Sequence, residues 1–111
     1  MFKYLKMSKI NKDGTEHVCA KVDPFTLDED GLGYGKIIML TNNHVNNTYE
    51  IKEGRLVRGS THFIRVIEKG KEDTKTVDEF KCWLIRNNYC DKDFLSEMED
   101  SYKESYKKYY K

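Results

Sequence analysis

Hydrophobic and polar residues alternate through much of the first two-thirds of the chain, and the spacing changes to threes and fours after Thr76. The first pattern is that of half-buried strands, the second that of an amphipathic helix. Val18, Ala20 and Val22 alternate with His17, Cys19 and Lys21, so the first three are expected on the core face of a strand. A preceding strand joins it through a hairpin at Asn11-Lys-Asp-Gly14. Its lysines at 3, 6, 9 and 12 fit an edge strand guarded by charge better than a phosphate-binding stripe. Lys36 to Thr41 is apolar on both faces and reads as a central strand, followed by a polar turn at Asn42-Asn-His44. Val45, Tyr49 and Ile51 alternate next, and a second hairpin turn is expected at Lys52-Glu-Gly-Arg55. Thr61 to Lys69 forms a further strand whose Phe63, Ile64, Val66 and Ile67 supply both faces. These short connections predict an antiparallel sheet of five or six strands over residues 1 to about 75.

Thr76-Val-Asp-Glu79 matches a capping box, and Val77, Phe80, Trp83, Leu84 and Asn87 follow at helical spacing. A second helix is expected from Asp91 or Asp93, with Phe94, Leu95, Met98, Tyr102, Tyr106 and Tyr109 on one stripe. The fold class is therefore α+β, a single domain over residues 1–111 with two C-terminal helices packed on the sheet.

Composition narrows the setting more than the chemistry. The formal net charge is +1 with 35% charged residues, so no uniformly basic or acidic partner surface is implied. Charge is segregated instead: residues 1–21 are lysine-rich, residues 23–30 are acidic, and the Tyr/Lys tail is basic. The longest apolar run, Ile37 to Leu40, is far short of a membrane span, and the lysine-interrupted N-terminus lacks a continuous apolar signal region. Three widely spaced cysteines fit reduced thiols in the cytoplasm. The wealth of Lys, Asn, Ile and Tyr beside one Ala and one Pro follows AT-rich codons and points to a low-GC bacterium, phage or virus.

Asp23 to Lys36 holds the only proline, three of the seven glycines and four carboxylates, and is expected as a long irregular loop. Aligned as a calcium loop on Gly31, it places Ile37 where the bidentate glutamate belongs. Aligned as a phosphate loop on Gly35, it has Asp30 in place of the first glycine and Ile37 in place of Ser or Thr. Neither motif survives. The remaining functional reading is protein contact, with Asp28, Glu29 and Asp30 presenting charge and Phe25, Leu27, Leu32 and Tyr34 presenting apolar anchors. The alternative is a plain hairpin connection that caps the core.

Other constellations are weaker. Among His17, His44, His62, Cys19, Cys82 and Cys90 only His17-x-Cys19 is closely spaced, so neither a metal site nor a cofactor is expected, and Cys82 reads as a small buried hydrophobe. A Cys/His nucleophile pair has no local signature. Arg55, Arg58 and Arg65 cluster in one strand pair and, with His62 and the N-terminal lysines, form a candidate anion, nucleotide or nucleic-acid surface. Glu50, Glu53 and Glu68 are their competing cross-strand partners. In the tail, acids precede lysines as the helix dipole favours, which leaves the tyrosine stripe to core packing or a homodimer seam. The expected function is a small non-enzymatic binding protein, an inhibitor or accessory factor of phage or mobile-element type, contacting a protein partner through residues 23–36.

Overall fold

A computed structural model describes residues 5–7, 15–72 and 75–93. Strands β1 (Leu5–Met7), β2 (Thr15–Leu27), β3 (Gly33–Asn43), β4 (Thr48–Val57) and β5 (Ser60–Lys71) form one antiparallel meander in the order β1-β2-β3-β4-β5. Helix α1 (Val77–Arg86) follows. The five-stranded sheet and the first helix are those expected from the residue pattern. The hairpin at Asn11 to Gly14 and the second helix with its tyrosine stripe fall largely or wholly outside the described residues.

Period-two alternation places the core. Val18, Ala20, Val22, Ile38, Leu40 and Ile51 lie on one face of the sheet, where Phe80, Trp83 and Leu84 of α1 close over them. Phe80 and Leu84 have no solvent exposure, and burying side chains of this size stabilises by about 1.5–3 kcal/mol each relative to exposure. The opposite face carries a smaller cluster of Phe25, Ile37, Met39 and Leu56, with Cys19 beside it.

Helix α1 begins as its sequence dictates. The Thr76 hydroxyl accepts a hydrogen bond from the Glu79 amide at 3.2 Å. Its end is a Schellman-type closure: the Asn88 amide donates to the Ile85 carbonyl and the Tyr89 amide to the Leu84 carbonyl, with Asn88 at φ 60°. That closure sets Tyr89 against Trp83, ring centroids 5.5 Å apart. Buried Asn42 donates to the Lys75 carbonyl at 3.0 Å and fastens the approach to the helix onto β3. Cys82, expected to be buried, is exposed, because the helical phase that turns Phe80 and Leu84 inward turns residue 82 outward.

Two expected connections move. Most of the segment 23–36 is strand, and only Asp28 to Leu32 remain as loop between Leu27 and its partner Gly33. The pairing steps from Val22–Lys36 to Phe25–Gly35, so a bulge absorbs Asp23 and Pro24 and the missing proline N–H breaks no ladder. The turn expected at Lys52 to Arg55 lies inside β4; the chain reverses at Arg58-Gly59 instead. Both residues have positive φ, 49° and 81°, the geometry of a type I′ hairpin. Gly54 serves close approach rather than a turn, since a Cβ there would stand 3.0 Å from the His62 carbonyl oxygen.

Gly33 shows how the second cluster is built. A Cβ at this position would lie 2.5 Å from Phe25 Cζ and 2.9 Å from a Leu56 methyl. Gly33→Ala is therefore expected to destabilise the domain by about 1–3 kcal/mol, the usual cost of overpacking. Urea unfolding should show that loss largely relieved when Phe25→Leu is added; a single-variant midpoint equal to wild type would disprove this packing.

Candidate functional site

The candidate residues gather at the end of the sheet formed by the β2–β3 and β4–β5 connections. Asp28 organises the first connection: its Oδ1 accepts from the Asp30 amide at 3.0 Å and the Leu32 amide at 2.8 Å, and its own amide donates to the Leu32 carbonyl. Arg58 reaches across from the neighbouring turn. Its Nη1 stands 3.0 Å from Asp28 Oδ2, an ion pair without hydrogen-bond alignment, and its Nη2 donates to Asp30 Oδ2 at 3.1 Å. Nη1 also donates to the Tyr34 hydroxyl at 3.3 Å. The acidic loop and one of the arginines proposed for anion binding thus pair with each other. This cross-link fixes the two hairpin tips side by side, and it leaves Glu29 as the loop carboxylate turned to solvent.

The apolar anchors separate. Phe25 is not available to a partner, because it lies in β2 with no exposure, packed against Gly33 and Leu56. Tyr34 lies in β3 and is half-buried. Leu32 stays exposed at the tip, a δ-methyl within 3.5 Å of the position a Gly59 Cβ would take.

Residue pairing by strands missed the largest feature of this corner. Phe63, Ile64 and Val66, expected to supply buried faces of β5, are 58%, 61% and 48% exposed. Two bulges between β4 and β5, around Ile67 and Ile64, and the position of β5 at the end of the strand order remove the neighbours that would bury them. Lys52 lies over the Phe63 ring, 5.1 Å from its centroid. The adjacent tip adds Leu32. The signal available in sequence was the crowding of Ile64, Val66 and Ile67 in one strand, too many apolar side chains for one buried face.

On the α1 face the remaining cations line up. Register places Lys36 opposite Arg55 and Arg55 opposite His62, one row across β3, β4 and β5. In the next row Glu53 opposes Arg65. Glu53, nearly buried, accepts from Arg65 Nε at 2.9 Å and pairs with Lys36 Nζ at 3.1 Å. The hydrogen bond from Arg65, then that from Lys36, hold the Glu53 carboxyl below its ordinary value against the opposing effect of burial. Of the other N-terminal cations proposed for this surface, Lys3, Lys9 and Lys12 lie outside the described residues.

Burial, then the charge of Asp91, push the Cys90 thiol up to about 11, so it is protonated at neutral pH. The Nδ1 of His17 is 3.3 Å from the Thr41 hydroxyl. Among the described residues, no group of three His, Cys, Asp or Glu side chains is placed to hold a metal ion. Nor is any described helix long and apolar enough to cross a membrane. Comparison with protein-family models, curated proteins and solved structures finds no match for this chain.

Because its pKa is lowered on folding, ionised Glu53 stabilises the native state above the ordinary glutamate value, and that contribution is lost as pH falls through the lowered folded value. Glu53→Gln should therefore be less stable than wild type at pH 7, with the gap closing in acid. Denaturant unfolding between pH 3 and pH 7 measures the gap, and a pH-independent difference would contradict the clamp.

Proposed function

We propose that this chain is a small non-enzymatic binding protein, an inhibitor or accessory factor, that contacts a protein partner through the corner formed by β5 and the two hairpin tips. One observation carries the reading. Of the large hydrophobic side chains exposed among the described residues, Phe63, Ile64 and Val66 follow one another on β5 and Leu32 stands at the adjacent tip, while Val57 shares the face of Arg55 and Val45 and Ile85 lie apart. An exposed apolar patch with an aromatic member and a charged rim is the usual anatomy of a contact surface. Glu29, Asp30, Arg58 and Lys52 supply that rim.

The acidic loop keeps a place in this reading with a different task. Arg58 pairs with and positions both Asp28 and Asp30, so the loop holds Leu32 at the tip and offers Glu29 as a rim charge. Preorganisation of this kind lowers the ordering cost of binding. Three cysteines, none of them in a disulfide, support a reducing, cytoplasmic setting.

A photo-crosslinking residue in place of Phe63, tested in an extract of the source cells, should give a discrete heteromeric adduct. The same probe in place of Lys92 should not, and Ile64→Lys with Val66→Lys should abolish the adduct while the melting temperature stays within a few degrees of wild type. Identical adducts from both positions would sink the reading. An adduct formed only with a second copy would replace the partner by a homodimer, which light scattering would register independently.

A further inference from the structure

We infer that the row Lys36, Arg55 and His62, flanked by Arg65, binds the phosphate backbone of single-stranded nucleic acid on the α1 side of the sheet. The row is distinct from the apolar corner and does not depend on the protein contact proposed there. Its members stand directly opposite one another across three adjacent strands. Lys36 and Arg55, directly opposite each other, are like charges that repel and weaken a sheet, so packing alone gives no reason for the row. Glu53 relieves only part of the repulsion. It engages Lys36 and Arg65, while exposed Arg55 and His62 have no charged or hydrogen-bonded partner among the described residues.

Glu53 also works as an orienting group. Nearly buried between Lys36 and Arg65, it fixes both side chains on either side of Arg55 without neutralising the row, since three permanent cations face one carboxylate. The overall charge of the chain is close to zero, so this is a local field and not a general basic character.

The spacing favours a chain of phosphates over a single one. Adjacent strands lie about 4.8 Å apart, so the row extends about 10 Å between the backbones of Lys36 and His62. Lys36 and Arg65 converge on the Glu53 carboxylate, and exposed Arg55 and His62 carry the row onward beside them on an open face. Tyr89 stands at the Lys36 end, its ring centroid 5.4 Å from Lys36 Nζ, held by the helix closure against Trp83. A cationic track with an aromatic side chain beside it is how single strands are held without sequence readout.

Fluorescence anisotropy with a labelled 20-nucleotide single-stranded DNA tests this directly. Wild type should bind at 50 mM salt and weaken on the order of tenfold by 200 mM, as expected when about three phosphates are neutralised. Arg55→Gln with His62→Gln should weaken binding about tenfold and flatten the salt dependence, whereas Lys71→Gln with Lys92→Gln should change it less than twofold. Because Arg55 and His62 are exposed and unpaired among the described residues, their replacement should leave the melting temperature unchanged or slightly higher, so loss of binding cannot be ascribed to unfolding. Ile64→Lys with Val66→Lys should keep DNA binding, which separates this site from the corner. No binding at 50 mM salt, or equal losses in both glutamine pairs, would overturn the inference. A mononucleotide competing as well as the 20-mer would overturn the nucleic-acid assignment in favour of a single-phosphate site.

Discussion

One short helix has to serve a sheet of long strands, and the surface of the molecule follows from that mismatch. The ten residues of α1 rise about 15 Å, whereas strands of ten to thirteen residues run about 33–43 Å. The helix covers the rows of Val18, Ala20, Ile38, Leu40 and Ile51. Beyond it the same face carries Lys36, Glu53, Arg55 and Arg65. Apolar and ionic stretches of β3 and β4 are thus successive parts of one face, divided by where the helix stops.

The charges at the uncovered end form two closed groups. Arg58 binds the two hairpin tips through Asp28 and Asp30, and Glu53 binds Lys36 to Arg65. Exposed ion pairs add little to stability. Their consequence here is geometric: they fix loop and strand side chains around groups that stay free, namely Glu29 and Leu32 at the tip, and Arg55 and His62 on the sheet. Phe63 and Val66 lie on the face of the sheet opposite the one that carries Arg55 and His62, as strand parity requires, whereas Val57, two residues on from Arg55, shares the cationic face.

Much of the fold was legible because the signals were local. The alternation at Val18, Ala20 and Val22, the doubly apolar Ile37 to Leu40 and the capping box at Thr76 each specify an element without help from distant residues. The errors came where tertiary context decided. Asp23-Pro24 reads as a loop until a bulge removes both from the ladder, and Gly54 reads as a turn until its contact with the His62 backbone is known. The candidate site was legible as residues and not as pairings. Acidic loop and arginine cluster were both identified, but only the fold reveals that Arg58 and the loop acids pair with each other, or that Phe63, Ile64 and Val66 lose their cover at the sheet edge.

Beyond α1 the end of the sheet is left uncovered on an otherwise well-packed domain. Hydroxyl-radical footprinting of the free protein tests it side chain by side chain. Rapid modification of Leu32, Val57, Phe63, Ile64 and Val66, with Phe25, Ile51, Phe80 and Leu84 protected, is the predicted result. Protection of Phe63 and Ile64 equal to that of Phe80 would show that this end is covered, and would contradict the account.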